Sequence, residues 1–591
     1  MESMKYVLLS TVMVVYHFRM NLADLDVDLT VNTKFGKVQG TKRYALESNR
    51  PVYSYFGIPY ARSPDYAFRF LPPVDPWPWT GVKDVTNERV PFCRQDPQAV
   101  ERLRANSIFG IMIEENYPMQ EDCLNVDIFT PVKPLRVNAT GKLPVIVWFH
   151  GGSYQVTGTT HKLWMLPAYE DVVLVTVQYR LGVFGFLSFE NKCAPGNSGL
   201  QDQTKSLEWV RDNIGEFGGN PILVTIFGLS AGAFSVGAHS ISPLSRGLFH
   251  RVFSGSGTVL VPQMWDESHV DKSSAIAETT GCKFWDIDHT STCLRNRVTS
   301  SELVNAASNS NIIFKARVDG HFFPSKVDDL LENRTFDINI PIMFGTVAGE
   351  FDFVLGRKVI PRNMRGSLMT RSNAEKVIRE NIIKYFPEIF ENRQKVDDLF
   401  KEYLGENSSD GIELTKGVVE CLADALFNYN SIRGASIYKD AGTDVYFYKF
   451  DMKPSFYYNS ALGMHIPYNF NRADHSDDLP FFLGFPFLSE FKAKGMTFTS
   501  QEKNMSLKMM KMLATFAKDG VPNPDKSFDW PQYPSFVCIN QTLTVETNFR
   551  QRQMKLWETL LQTKRIELDQ TNNPHHHDVD NNKFPFNKKE L

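Results

Sequence analysis

Apolar runs alternate with helical patterns along the chain, most clearly in its first half. Residues 207–214 (LEWVRDNI) place Leu207, Val210 and Ile214 on one helical face. Runs typical of buried strands lie at 143–149, 172–181, 222–227, 340–345 and 444–450. Strands separated by helices indicate an α/β fold with a large, mostly parallel, doubly wound central sheet flanked by helices. In such sheets, ligands bind at the carboxyl ends of the strands.

The 591-residue chain shows no obvious domain boundary. Between about residue 30 and residue 560 it has no long Pro/Ser/Gly tract, no internal repeat and no charge run. We therefore expect a single domain over residues 24–563. The polar tail at 564–591 is expected to be disordered, because it has few apolar residues to bury.

The N-terminus combines Lys5 with an apolar stretch from Tyr6 to about Tyr16. This stretch is too short to span a bilayer, so residues 1–23 are predicted to be a signal peptide, with Ala23 as a candidate cleavage point. A buried N-terminal strand is the alternative. No later apolar run is long enough for a membrane helix, and no stable membrane insertion is expected.

A serine between two glycines follows the run at 222–227 (FGLSAGA, 227–233). Such a motif also arises by chance, so the surrounding residues decide whether it marks a nucleophile. The run has apolar or β-branched residues throughout, as expected for a strand buried on both faces, and small, helix-compatible residues follow Ser230. An abrupt strand-to-helix turn leaves no room for side chains, which explains Gly228 and Gly232. It would expose Ser230 as a nucleophile and aim the Ala231 N–H at an oxyanion.

A second glycine-rich segment, His150-Gly151-Gly152-Ser153, follows the strand predicted at 143–149. Glycines there let backbone N–H groups approach a substrate oxygen closely, as in the loop that completes an oxyanion hole. A simple glycine-rich turn is the alternative, but it is disfavoured when a serine turn of this kind follows.

A serine nucleophile needs a base, and the base needs a carboxylate that orients it. In hydrolases with this turn the chain order is serine, acid, histidine, so both partners should lie downstream. His475 lies in a polar loop, with His465 as the alternative base. Glu350 follows a predicted strand, with Asp352 as the competing acid.

The charge balance disfavours nucleic acid as a partner: 64 Lys plus Arg against 67 Asp plus Glu give a net charge of −3 with no basic stripe. Export would place the seven cysteines in an oxidising compartment, where Cys93 with Cys123 and Cys282 with Cys293 could each close a loop. A third bridge among Cys193, Cys421 and Cys538 is left open. Consistent with export, five glycosylation sequons lie at Asn138, Asn333, Asn407, Asn504 and Asn540.

Taken together, these segments resemble the type-B carboxylesterases and cholinesterases of the α/β-hydrolase fold, and most closely the secreted arthropod carboxylesterases. The shared motifs cover nearly the whole chain: FGKVQG (35–40), YFGIPYA (55–61), QEDCLNVDIFTP (120–131), WFHGGSY (148–154), YRLGVFGFLS (179–188), GNSGLQDQ (196–203), FGGNP (217–221) and SPLSRGLFHRVFSGSG (242–257).

The resemblance implies a serine esterase without metal or cofactor, acting on small-molecule esters. It implies Ser230 as nucleophile, Glu350 as acid and His475 as base, with oxyanion N–H groups at Gly152, Ser153 and Ala231. It also implies the bridges Cys93–Cys123 and Cys282–Cys293 and an exported glycoprotein.

Several residues depart from the family pattern. Ser153 stands where Gly or Ala is usual, and Phe351 stands where a Gly normally follows the acid. Leu229 and Lys83 replace the Glu and the choline-stacking Trp of cholinesterases, which disfavours a cationic choline substrate. Leu229 also argues against a hormone esterase, where Gln is typical, and xenobiotic, dietary or odorant esters remain open.

Two alternatives concern function and location. Some relatives on this fold have lost the triad and serve as adhesion or binding proteins, but this chain keeps all three candidate residues. The terminal KKEL resembles an ER-retention signal with one mismatch, so luminal retention is the alternative to secretion. The three histidines at 575–577 are expected to be solvated rather than to bind a metal. The sequence leaves the oligomeric state open.

Overall fold

The computed structural model describes residues 29–561 except 46, 107–109, 111–112, 134–141, 160–161, 354–359, 456–471 and 494. The predicted signal peptide, the polar tail with its KKEL end, Asn138 and His465 therefore lie outside the described residues. The strands, numbered in chain order, are β1 (Thr30–Thr33), β2 (Gly36–Gln39), β3 (Thr41–Tyr44), β4 (Pro51–Pro59), β5 (Val82–Asp84), β6 (Phe92–Cys93), β7 (Met119–Gln120), β8 (Asn125–Thr130), β9 (Leu143–Phe149), β10 (Val173–Val177), β11 (Gly219–Leu229), β12 (Arg251–Gly255), β13 (Ile342–Val347), β14 (Val445–Phe450), β15 (Phe536–Ile539) and β16 (Leu543–Glu546).

Helices connect and cover these strands. The α-helices span Pro97–Asn106, Met165–Tyr169, Gly182–Phe186, Ser198–Asn213, Ala231–Ile241, His269–Thr279, Ile287–Asn296, Ser300–Asn309, Val327–Glu332, Arg371–Ile382, Pro387–Phe390, Arg393–Leu404, Gly411–Ala423, Tyr429–Asp440, Leu479–Phe482, Ser489–Ala493, Ser500–Asp519 and Gln551–Leu561. The predicted helical face is confirmed, because Leu207, Val210 and Ile214 are all fully buried.

Within the described residues, eleven strands form one sheet in the order β16-β15-β14-β13-β12-β11-β9-β10-β8-β4-β3. All neighbours from β15 to β10 are parallel, whereas β16 and the β8-β4-β3 end pair antiparallel. The predicted mostly parallel sheet is thus confirmed across its centre. A crossover is needed between successive parallel strands, and helices supply it.

The central strands are apolar because both faces of the sheet are covered. Along β9, Val145, Val147 and Phe149 belong to one core cluster with the helices Ser198–Asn213 and Ala231–Ile241. The intervening Ile146 and Trp148 belong to a second cluster with the helix Ser500–Asp519. Alternate side chains along a strand point to opposite faces, so these clusters are the two cores of a three-layer α/β/α arrangement.

The run at 222–227 was expected to be buried throughout, which is wrong for Ile222. This side chain is 69% exposed, and β11 is continuously buried only from Val224 onward. The neighbour β12 pairs with β11 from Thr225 onward, and the pairing with β9 is irregular between Gly219 and Val224. Ile222 thus lies outside the pairing with β12 and in the irregular stretch between two points of pairing with β9.

Two disulfides are present. Cys93 and Cys123 have Cα atoms 5.0 Å apart, and Cys282 and Cys293 have Cα atoms 5.6 Å apart. Cys193, Cys421 and Cys538 are free thiols, so no third bridge forms. Asn333, Asn407, Asn504 and Asn540 are all exposed. None of the helices in the described ranges combines the length and apolar character that crossing a bilayer requires.

Candidate active site

The sequence-predicted site residues converge at the carboxyl ends of parallel strands. The segment His150–Ser153 follows β9, Ser230 follows β11, and Glu350 lies three residues after β13. His475 comes after β14, the parallel neighbour of β13. Because parallel strands end at the same edge of a sheet, this topology gathers segments that are far apart in sequence.

Ser230 occupies a tight turn between β11 and the helix Ala231–Ile241. Its backbone has φ 60° and ψ −121°, a conformation that non-glycine residues rarely adopt and that is associated with functional sites. The Ser230 N–H donates to Gly255 O at 3.0 Å, which ties the turn to β12. The side chain is half-buried.

The flanking glycines are sterically required, as predicted. A Cβ on Gly228 would lie 2.1 Å from Gly232 O, and a Cβ on Gly232 would lie 2.1 Å from Phe149 O. Backbone therefore contacts backbone on both sides of the serine, so no side chain fits at either position.

The glycine-rich segment after β9 lies directly against this turn. A Cβ on Gly151 would lie 3.2 Å from the Cβ of Ser230 and 2.8 Å from Leu229 O. Gly152, Ser153 and Tyr154 all have positive φ (102°, 56° and 60°). Three successive left-handed residues fold the segment tightly, and Ser153 adopts this conformation although it carries a side chain.

The glycine-rich segment is braced by buried hydrogen bonds. The Tyr154 hydroxyl lies 2.7 Å from Ser235 Oγ on the helix that follows Ser230. The His150 ring stacks on Tyr179 at 4.3 Å, and its Nδ1 lies 2.8 Å from Thr157 Oγ1. Burial lowers the pKa of His150 to about 4, so this imidazole is neutral at physiological pH.

Glu350 and His475 form a direct contact. Glu350 is fully buried, and its Oε2 lies 2.7 Å from His475 Nδ1, while the His475 side chain is 11% exposed. The other carboxylate oxygen, Oε1, accepts the Val347 N–H at 2.9 Å and the Thr346 hydroxyl at 2.8 Å. A carboxylate in this position fixes the imidazole tautomer with Nδ1 protonated and leaves Nε2 free to act as a base.

The two loops that carry Glu350 and His475 are joined through their backbones. The Gly349 N–H donates to Ala473 O at 2.8 Å. The competing acid, Asp352, instead forms a two-pronged ion pair with Arg472 at 2.8 Å. Asp352 therefore braces the histidine loop, whereas Glu350 contacts the histidine.

Aromatic side chains surround the histidine. The rings of Phe427 and Phe353 lie 4.9 Å and 5.3 Å from the His475 ring. Phe351, which departs from the family pattern, is buried against Phe427 at 5.9 Å and leaves the Glu350–His475 contact intact. His475 thus lies in a largely apolar environment.

Three polar residues near Glu350 were missed by sequence reasoning. Thr346 donates to Glu350, and Asn428 Oδ1 lies 2.7 Å from Thr346 Oγ1. Asp478 is buried, accepts the Tyr448 hydroxyl at 2.6 Å, and has its pKa raised to about 6 by burial and by the nearby Glu350 carboxylate. No local motif marks these residues, because their contacts depend on the folded arrangement.

The described residues contain no cluster of three or more His, Cys, Asp or Glu side chains suited to holding a metal ion.

Known proteins resemble this chain along most of its length. A family profile described as "Carboxylesterase family" matches residues 27–557. The chain is 34% identical over 549 residues to "Fatty acyl-CoA hydrolase precursor, medium chain" of Anas platyrhynchos, covering 91% of this chain and 93% of that protein. It is 34% identical over 551 residues to "Acylcarnitine hydrolase" of Rattus norvegicus (91% and 92% covered). It is also 34% identical over 555 residues to "Cocaine esterase" of Homo sapiens (92% and 93% covered).

Proposed function

Because the chain belongs to the carboxylesterase family and is an ester hydrolase, we propose that Ser230, His475 and Glu350 form its catalytic triad. The observation that carries this assignment is the 2.7 Å contact between His475 Nδ1 and Glu350 Oε2. It supports Glu350 over Asp352 as the acid, supports His475 as the base, and fits the chain order serine, acid, histidine.

In the first half of the reaction, His475 Nε2 removes the Ser230 hydroxyl proton while Oγ attacks the ester carbonyl. The tetrahedral intermediate carries a negative oxygen, which accepts hydrogen bonds from the backbone N–H groups of Gly152, Ser153 and Ala231. His475 then protonates the departing alcohol, leaving the acyl group on Ser230. Glu350 remains ionised and stabilises the imidazolium throughout.

In the second half, water replaces the alcohol. His475 takes a proton from water, whose oxygen attacks the acyl carbonyl, and then returns that proton to Ser230 Oγ as the acid is released. The strained conformation of Ser230 and the tight glycine contacts keep the nucleophile in place across both halves.

The substrates we propose are small to medium apolar carboxylic esters of xenobiotic, dietary, odorant or hormone-like origin. The rings of Phe353 and Phe427 next to His475 support an apolar substrate. The names of the relatives, which refer to acyl-CoA, acylcarnitine and cocaine, are consistent with acyl esters as a class.

We further propose that residues 24–563 form one catalytic domain that enters the secretory pathway and is secreted, with retention in the ER lumen as the alternative. Two disulfides and four exposed sequons support an oxidising, glycosylating compartment.

The test is pre-steady-state hydrolysis of excess p-nitrophenyl butyrate by wild-type protein and by Ser230→Ala. We expect a burst of nitrophenol near one equivalent, or steady turnover, that Ser230→Ala abolishes. The control Ser489→Ala removes an exposed hydroxyl that contacts Glu490 and should behave as wild type. Hydrolysis that survives in Ser230→Ala would reject the assigned nucleophile, and folded wild-type protein without hydrolysis would favour a binding protein.

A further inference from the structure

A buried chain of hydrogen bonds extends from the acid into the helical part of the protein. Thr346 Oγ1 lies 2.8 Å from Glu350 Oε1 and 2.7 Å from Asn428 Oδ1, and Asn428 Nδ2 lies 2.8 Å from Asp424 Oδ1. The side chains of Thr346 and Asp424 are fully buried, and Asn428 is 5% exposed. Water is therefore largely excluded from the chain, and these residues depend on each other for their hydrogen bonds.

A π-helical turn places Asn428 in this chain. Residues Asp424–Asn428 form the turn, between the helices Gly411–Ala423 and Tyr429–Asp440. Such turns are rare and are frequently found at functional sites. The same turn places the Phe427 ring 4.9 Å from His475. One irregular turn therefore contacts both the acid, through Thr346, and the base.

An ion pair holds Asp424, at the far end of this chain of hydrogen bonds. Asp424 Oδ2 accepts Arg550 Nη2 at 2.7 Å and the Tyr403 hydroxyl at 2.7 Å. These partners come from the helix Arg393–Leu404 and from the residue just before the helix Gln551–Leu561. The helices that support Asp424 are thereby connected to the strand end that carries Thr346.

The number of available protons limits which groups can donate in this chain of hydrogen bonds. Thr346 has one hydroxyl proton, yet its oxygen lies within 2.8 Å of two acceptors, Glu350 Oε1 and Asn428 Oδ1. The Asn428 amide nitrogen donates to Asp424 Oδ1 at 2.8 Å, so the amide oxygen faces Thr346. The Thr346 proton is therefore shared between that amide oxygen and Glu350 Oε1.

We propose that Thr346 and Asn428 are positioning residues of the reaction: the Thr346 hydroxyl donates to Glu350 Oε1 and holds this carboxylate against His475, while the Asn428 amide oxygen draws part of the same proton away from Glu350. The inference rests on the proposed function, because it takes Glu350 as the acid. Thr346 and Asn428 act on the chemistry only through that carboxylate.

Removing the Thr346 hydroxyl has two opposite effects on His475. A donor on Glu350 withdraws part of the negative charge that stabilises the imidazolium, so its loss moves the acid limb of the kcat/KM profile to higher pH. The same donor holds the carboxylate in place, so its loss lowers kcat. Among the described residues, Asp352, Tyr448 and Asp478 also interact electrostatically with Glu350, and the variants leave all three unchanged.

The experiment measures pH profiles of p-nitrophenyl butyrate hydrolysis for Thr346→Val, Asn428→Ala and the double variant. For Thr346→Val we expect the acid limb to rise by about 0.5 pH unit and kcat to fall about fivefold, with KM within about twofold. Asn428→Ala should shift the limb in the opposite direction by a smaller amount, because Glu350 then receives the whole Thr346 hydrogen bond, and it should have no further effect in the Thr346→Val background. Thr346→Ser, which keeps the hydroxyl, should restore the wild-type limb.

Asn430→Ala is the matched control. Asn430 is also buried and bonds Ala425 O at 3.0 Å, so its loss should lower stability without moving the pH profile. An unchanged limb in Asn428→Ala, or an equal shift with and without Thr346, would overturn the inference. Glu350→Ala, measured in parallel, separates the two levels: retained activity in that variant would reject the triad itself, whereas lost activity beside an unaffected Asn428→Ala would reject the inference alone.

Discussion

The α-carbon of Gly232 lies so close to the strand β9 that a Cβ atom there would be 2.1 Å from Phe149 O. This contact joins the helix that follows Ser230 to the strand that leads into the glycine-rich loop at 150–153. The spacing between Ser230 and the N–H groups of that loop therefore depends on residue 232 having no side chain.

We expect Gly232→Ala to separate these two segments and to lower kcat for p-nitrophenyl butyrate at least 100-fold, because oxyanion donors act only at short range. Steady-state kinetics together with circular dichroism would show the effect and test folding. The control is Gly434→Ala in the helix Tyr429–Asp440, where a new Cβ would find its closest neighbours at 3.5 Å. That variant should retain wild-type kinetics, and near-normal activity in Gly232→Ala would contradict the proposed arrangement.

The assignment of the acid predicts different behaviour for two neighbouring carboxylates. Glu350→Gln keeps the size of the side chain but removes the charge that stabilises the imidazolium, so kcat should fall by about 100- to 10,000-fold. Asp352→Asn weakens the ion pair with Arg472 and should lower the melting temperature while costing less than about tenfold in kcat. The reverse ranking of the two variants would identify Asp352 as the acid.

Sequence patterns anticipated the parts of the site that are encoded locally. A strand end followed by a glycine-rich turn is a short-range feature, so both the Ser230 turn and the loop at 150–153 could be located. The contact between Thr346 and Asn428 joins residues 82 positions apart and depends on a π-helical turn, for which the sequence carries no signal. Ile222 was misjudged for a similar reason, because burial depends on where the neighbouring strands begin.

The cysteines provide a test of the proposed export. Seven cysteines with two disulfides leave three thiols, at Cys193, Cys421 and Cys538. Titration of unfolded, unreduced protein with Ellman's reagent should therefore give three thiols, rising to seven after reduction. The Cys93–Cys123 disulfide closes the longer loop. Removing it with Cys93→Ser and Cys123→Ser should lower the free energy of unfolding by about 3 kcal/mol. Seven thiols before reduction, in protein purified from the culture medium, would contradict the disulfide assignment.

Glycosylation is a separate test of the same proposal. Asn333, Asn407, Asn504 and Asn540 are exposed, so each sequon is accessible to the transferase on this criterion. Protein secreted from a eukaryotic host should gain mobility on a denaturing gel after peptide N-glycosidase F treatment. Replacing all four asparagines with glutamine should abolish the part of the shift due to these sites. An unchanged mobility in wild-type protein would argue against glycosylation.

A buried histidine on the helix after Ser230 predicts how stability depends on pH. His239 is 1% exposed, its Nε2 lies 2.9 Å from Gln203 Oε1, and its Nδ1 lies 2.7 Å from Ser245 Oγ. These contacts fit a neutral ring that donates from Nε2 and accepts at Nδ1. Burial lowers the pKa of His239 from 6.5 to about 3, because a charged ring would lose its hydration without gaining a counter-ion.

The folded protein and the unfolded chain bind different numbers of protons at His239. Between pH 6.5 and about 3 the unfolded chain protonates this histidine and the folded protein does not, so stability falls as the pH falls through that window. The loss between pH 7 and pH 5 is about 2 kcal/mol for one such group, which lowers the melting temperature by about 2 °C in a protein of this size. Melting curves of His239→Gln should show a pH-dependent shift smaller by that amount, whatever the variant's overall stability. Exposed His321→Gln is the control and should keep the wild-type slope. Equal slopes for His239→Gln and the wild type would show that His239 is protonated in the folded protein as readily as in the unfolded chain.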